Sequence, residues 1–174
     1  MFLGYVKGME NLNKLSFMKM HGLGNDFVIL DLRDSSYIVD EKLVISLSDR
    51  NRGIGFDQLV VISSGKNSDL SLTFFNADGS RISTCGNATR CVANYEMNRL
   101  CLKTLKIRTE RGLLQAKLLD DSRTSVNMGH PFLKWNEIPL SEDVNTLKLP
   151  IEGLPTATGM GNPHCTFFVD NAEK

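Results

Sequence analysis

The densest group of chemically useful side chains is the run from Asn76 to Cys91, NADGSRISTCGNATRC. A polar turn leads to a Cys85-Gly86-Asn87 step that opens a helix. A thiol just ahead of a helix sees the positive end of the backbone dipole, and the first amides of the helix have no intrahelical partners. Both favour thiolate, so the Cys85 pKa is expected to fall. The same amides can hold a carboxylate, and Gly86 lets a ligand come close to the backbone. A thiol activated in this way, beside a carboxylate cradle, suits removal of a proton from the α-carbon of an amino acid. The competing reading is that a cysteine is simply a small buried apolar residue. Local pattern leaves Cys85 open between the two and assigns Cys91, Cys101 and Cys165 to the apolar reading. The cysteine spacings do not match paired knuckles, so no metal site is expected.

Three further loops carry polar groups between glycines: His21-Gly-Leu-Gly-Asn25-Asp26, Gly53-Ile-Gly-Phe-Asp57-Gln58 and Gly159-Met-Gly-Asn162-Pro-His164. Each alone reads as a turn ahead of a strand. GLGND is not G-x-G-x-x-G, and no βαβ unit is expected after it, which argues against a dinucleotide site. Taken with the cysteine run they make four polar loops, three entering strands directly, whose tips can converge on one small polar ligand.

The elements that must position these loops are legible in part. Residues 1–15 read as a leader with little pattern, Met9 and Met18 being possible alternative starts. The first strand is expected over 26–32, DFVILDL, an apolar run of the kind buried on both faces. Val39, Leu43 and Leu47 recur at helical spacing within VDEKLVISLSDRN, with Asp40 a candidate cap, and GIG at 53–55 ends that segment. Strands are expected at 59–63 and 69–75, a helix over 87–99 that is apolar on most sides, a hairpin of 105–109 with 113–119, a strand beginning at SVNM, and a last strand over 165–169. All five prolines fall between 131 and 163, so a domain boundary is expected near 126–130.

Composition narrows the class. With 20 basic and 20 acidic side chains the chain lacks the basic excess of an electrostatic nucleic-acid binder. No apolar run approaches the roughly 18–20 residues that span a bilayer, and no export signal is visible. The chain therefore reads as cytoplasmic, with thiols rather than disulfides.

The motifs together resemble the diaminopimelate epimerase family. FMKMHGLGNDFVILD (17–31), GIGFDQ (53–58), FNADGS (75–80), CGNATRC (85–91), VNMG (126–129) and GNPH (161–164) stand in that family's order. Its common cysteine motif reads CGNGARC; Ala88-Thr89 replaces Gly-Ala here, inside the helix, where alanine is the better former. The resemblance implies an α+β fold: two pseudo-symmetric domains, each a mixed, mainly antiparallel sheet wrapped around a central helix. Residues 17–127 would be the first domain, 128–174 the incomplete start of the second, and 1–16 an extension.

It also implies a cofactor-independent, two-cysteine interconversion of LL- and meso-2,6-diaminopimelate, feeding lysine and peptidoglycan synthesis. Carried over residue by residue, Cys85 is one catalytic thiol and His164 assists a catalytic thiol. Asn25, Gln58, Asn76, Gly86, Asn87 and Asn162 contact substrate. A homodimer is implied as well. The family's second cysteine motif does not occur in the sequence, so the chain alone is expected to be inactive. Two alternatives stand beside this reading: a non-catalytic amino-acid-binding remnant, and an isomerase of the proline racemase-like group, which HGLGND and NADGS disfavour.

Overall fold

A computed structural model describes residues 2–7 and 14–172, with side chains from residue 15 onward. It forms two units, 1–127 and 128–174. In chain order the first unit contains β1 (Phe2–Lys7), β2 (Lys14–Gly22), β3 (Asn25–Asp31), α1 (Glu41–Ser48), β4 (Gln58–Ser64), β5 (Leu70–Asn76), β6 (Arg81–Ile82), α2 (Gly86–Arg99), β7 (Thr104–Thr109), β8 (Gly112–Leu118) and β9 (Thr124–Asn127). The strands form one sheet in the order β1-β2-β3-β4-β5-β7-β8-β9, with β6 on β5. Only β3–β4 and β5–β7 are parallel among the described pairs. Parallel neighbours require a crossover, and α1 and α2 are those crossovers. Helix α2 touches β2 near one end of the sheet and β7, β8 and β9 at the other, so the sheet curls around it. This is the expected α+β architecture.

The sequence explains the layering. Val28 and Leu30 of β3 join Leu59 of β4 and Val44 and Leu47 of α1 in one apolar cluster. Phe27 and Ile29, one residue out of phase, point to the other face and are equally buried. Asp40 caps α1: its carboxylate accepts the Leu43 N–H at 2.8 Å. In α2, Ala88, Thr89, Val92, Ala93, Glu96 and Met97 are buried.

Several expectations are corrected. Residues 2–7 are not patternless but pair antiparallel with β2, itself a strand the sequence reading missed; Met1 and residues 8–13, with Met9, lie outside the described residues. A βαβ unit does follow HGLGND, since β3, α1 and β4 form one. Its glycine turn precedes the first strand instead of joining strand to helix, so the exclusion of a dinucleotide fingerprint stands on the motif alone. Helix α2 is apolar on one side only. Its other side, including Arg90, Cys91, Asn94 and Tyr95, lines an open groove of about 1000 Å³. Cys91 is accordingly half-buried, and Cys101 is exposed.

The second unit is small and mostly irregular. Its core gathers Ile138, Leu149 and Ala157 with Phe132, Leu140 and Val144. A hairpin pairs β10 (Thr156–Gly159) with β11 (Pro163–Thr166). The last strand thus starts and ends earlier than the apolar run at 165–169 suggests. Phe167, Phe168 and Val169 lie beyond it and are exposed, as is Cys165.

Candidate active site

Cys85 is the N-cap of α2, with extended backbone (φ −140°, ψ 109°). Its carbonyl accepts the Thr89 N–H at 2.9 Å and the Thr89 hydroxyl at 2.8 Å, which closes the first turn and fixes the cysteine against the helix. Its thiol donates to Gln58 Oε1 at 3.9 Å. Burial pushes the Cys85 thiol above its ordinary value, although the facing amides of Ala88 and Asn87 and the charge of Arg90 pull the other way. The expected fall is therefore overturned: the helix terminus acts as the sequence implied, but desolvation of a half-buried sulfur outweighs it.

The sheet register explains how Asn25, Gln58 and Asn76 come to share one face and one rim of the sheet, with Gln58 at the thiol. Phe27 of β3 pairs with Gln58 of β4, and Gln58 pairs with Asn76 of β5. Paired residues share a face, and Asn25, two residues before Phe27, shares it too. Since Gln58 reaches Cys85, this is the α2 side of the sheet. The strand directions bring the beginnings of β3 and β4 and the end of β5 to the same rim. Asn25 Oδ1 is buried and has no hydrogen-bond partner among the described residues. Such an atom is costly to leave unpaired and marks a place for a donor group. Asn76 is held by its own turn, donating from Nδ2 to Ser80 Oγ at 3.1 Å.

The glycine loop before β3 closes onto the start of α2. A Cβ on Gly22 would sit 3.2 Å from Asn87 Cβ, so a glycine there permits the approach. The Cys91 thiol donates to the His21 carbonyl at 3.4 Å. Asn87 Oδ1 in turn accepts from the Arg90 guanidinium.

The structure thus places Asn25, Gln58 and Asn76 at one rim of the sheet on its α2 side and Gln58 against Cys85, whose neighbours Gly86 and Asn87 open α2; all six are half-buried. Asn162 and His164 belong to the second unit, at the β10–β11 turn and in β11, and both are exposed. Sequence reasoning missed Thr84. Its side chain is 3% exposed and its hydroxyl lacks a partner among the described residues. No local pattern distinguishes that threonine from any other.

A mainly antiparallel sheet curled around a helix is a fold this chain shares with solved proteins of the PhzF and proline racemase kinds. The chain is similar to a Bacillus anthracis phenazine biosynthesis protein of the PhzF family (TM-score 0.56, 18% identity, covering 87% of this chain and 54% of that one). It is likewise similar to a probable proline racemase from Agrobacterium radiobacter (TM-score 0.55, 11% identity, covering 86% and 50%). At these identities the likeness concerns the fold. Within that fold, the family model described as diaminopimelate epimerase matches residues 17–134, and the chain belongs to that family. A diaminopimelate epimerase from Zymomonas mobilis is 47% identical over 163 residues, covering 91% of this chain and 58% of the relative. The chain thus spans less than two thirds of the length of that relative.

Proposed function

We propose that this chain carries one half of the active site of a cofactor-independent amino-acid epimerase acting on 2,6-diaminopimelate. The observation that carries the reading is the cluster at the sheet rim: a cysteine sulfur at a helix N-terminus, with the Gln58 amide beside it and the Asn25 side-chain oxygen buried without a partner among the described residues. A proton acceptor, a set of helix amides and amide side chains are the groups a zwitterionic α-amino acid needs at its reacting end.

In this reading Cys85, as thiolate, takes the α-proton from one face. The electron pair left on carbon delocalises into the substrate carboxylate, and the first-turn amides of α2 hold the charge that develops there. Asn25, Gln58, Asn76, Gly86 and Asn87 bind and orient the amino acid. A second thiol on the opposite face returns a proton and inverts the centre; it belongs to the part of the relatives' length that this sequence does not span. By the family resemblance alone, Asn162 binds substrate and His164 assists a thiol. The parent enzyme then works in the cytoplasm as a homodimer in lysine and peptidoglycan supply.

The test is α-proton exchange with LL-diaminopimelate in deuterated water. It is run on the 174-residue chain and on a chimera that continues it with the remaining portion of the Zymomonas relative. Conversion to the meso form is expected in the chimera and lost with Cys85→Ala, while the 174 residues alone show no enzymic rate. Loss of general acid-base help by itself costs about 10²–10⁴-fold. Full conversion by the Cys85→Ala chimera would remove Cys85 from the mechanism.

A further inference from the structure

On the face of the sheet opposite the thiol, directly behind the site, lies a cluster of charged groups that the proposed mechanism does not use. Asp26 and Asp57 are the residues next to Asn25 and Gln58, and side chains alternate along a strand. The two aspartates therefore point toward α1 while the two amides point toward α2. Each aspartate caps the other: the Asp57 N–H donates to Asp26 Oδ1 at 3.0 Å, and the Asp26 N–H donates to Asp57 Oδ2 at 3.1 Å. Arg50, just past α1, donates to both oxygens of Asp26 at 3.0 and 2.8 Å and to Asp57 Oδ1 at 2.9 Å. Lys19 of β2 adds a contact to Asp26 Oδ2 at 2.7 Å and reaches the Gly55 carbonyl.

We propose that Asp26, Arg50 and Asp57 are positioning residues, a clamp across the starts of β3 and β4 that sets where Asn25 and Gln58 stand around the Cys85 sulfur. The inference rests on the reading of those two amides as site residues. Three features support it. β2 holds Asn25 and Asp26 on one side and β5 holds Gln58 on the other, but the β3–β4 pairing begins only at Phe27 and Gln58, so ahead of that pair these two strands are tied to each other by the clamp and by the Asp57 N–H to Asp26 carbonyl bond. Gly55 has φ +73°, and a Cβ there would lie 2.7 Å from Arg50 Cγ, so the glycine turn is shaped to let Arg50 lie across it. Hydrogen bonds from Arg50 and then Lys19 hold Asp26 well below the usual carboxylate range despite its burial, so the clamp stays charged at neutral pH.

The test reads the thiol and needs no substrate. Cys85 alkylation by iodoacetamide is followed against pH by peptide mass spectrometry in the 174-residue chain. The variants are Arg50→Met, Asp57→Ala, Gln58→Leu and the double variant Arg50→Met with Gln58→Leu. Gln58 accepts from the thiol and so favours its protonated form. A displaced Gln58 and a wetter sulfur both move the profile to lower pH. Arg50→Met and Asp57→Ala are each expected to raise Cys85 labelling at pH 7 about threefold, a shift of roughly half a pKa unit. Labelling of exposed Cys101 in the same sample stays unchanged, which separates this from general opening. Gln58→Leu gives at least the same shift, and the double variant adds nothing to it. Arg50 is largely exposed, so its variant folds. An unmoved profile in both clamp variants, or shifts that add in the double variant, would overturn the proposal. Failure here leaves the epimerase reading standing; failure of α-proton exchange with the labelling shifts intact leaves the clamp's hold on the two amides around the thiol but removes their catalytic purpose.

Discussion

Glu96 is the sharpest place to perturb the fold that holds Cys85. It sits on the buried side of α2 with no exposed side-chain surface, yet it carries a carboxylate. Arg33, beyond the end of β3, donates to it at 2.9 and 3.1 Å, and Arg99 at 3.2 and 2.8 Å. This network fastens the last turn of α2 to the sheet, eleven residues from the thiol at its first turn. Glu96→Gln keeps the shape and removes the charge. Breaking a buried ion pair by removing one partner costs about 3–5 kcal/mol. The lower end applies, because Arg33 keeps Asp31 and half-exposed Arg99 can turn to water. About 3 kcal/mol in a unit of this size lowers Tm by roughly 10 °C.

Burial pushes the Glu96 carboxyl up, but the Arg99 and Arg33 hydrogen bonds prevail and hold it below its ordinary value of 4.5. The folded state therefore releases this proton more readily than the unfolded state. The stabilisation is complete above the unfolded pKa and is lost as pH falls through the folded one. Urea unfolding of both forms from pH 7 to pH 3 checks this. The gap between wild type and Glu96→Gln is expected to be widest at pH 7 and to close toward pH 3. A gap under about 1 kcal/mol at pH 7, or one that does not depend on pH, would refute the account.

Two further outcomes follow. Asp40→Ala removes the cap of α1 and is expected to cost about 1 kcal/mol, read as a lower urea midpoint with unchanged slope. In the unliganded chain, iodoacetamide at pH 7 is expected to label exposed Cys101 and Cys165 before half-buried Cys85, the reverse of the order that the helix dipole alone implies. Fastest labelling at Cys85 would show that the helix amides outweigh desolvation.

What the sequence disclosed was whatever depends on neighbours along the chain. The run Phe27-Val28-Ile29-Leu30 announces a strand buried on both faces, Asp40 announces its helix, and the CGN step announces a thiol at a helix start. β2 was hidden because Lys14, Ser16 and Lys19 dilute its apolar positions, while Leu15, Phe17 and Met18 are buried only because β1 and β3 flank it. The convergence of Asn25, Gln58 and Asn76 depends on register between strands, which no local spacing encodes. The clamp joins Asp26 to Asp57 across 31 positions and exists only because β3 and β4 are parallel. The Glu96 network likewise depends on Arg33, 63 positions away, which no local spacing along α2 encodes.

The corrected thiol pKa bears on the chemistry as much as on the reading. A thiol lowered by its helix is plentiful as thiolate but weak as a base, and an α-proton is a poor acid. Desolvation reverses both properties: fewer molecules carry the thiolate, and each thiolate is a stronger base. Burial of the Cys85 sulfur is therefore the arrangement that proton abstraction from carbon favours, provided something restores the thiolate when substrate arrives. In the proposed reading the substrate supplies it, because its ammonium brings positive charge to the rim where Asn25 Oδ1 lies buried with no hydrogen-bond partner among the described residues. A nearby cation lowers a thiol pKa most where water is excluded. Under that proposal the half-buried sulfur, the Asn25 amide and the helix amides act together, and the base is released only when the molecule it must deprotonate is bound.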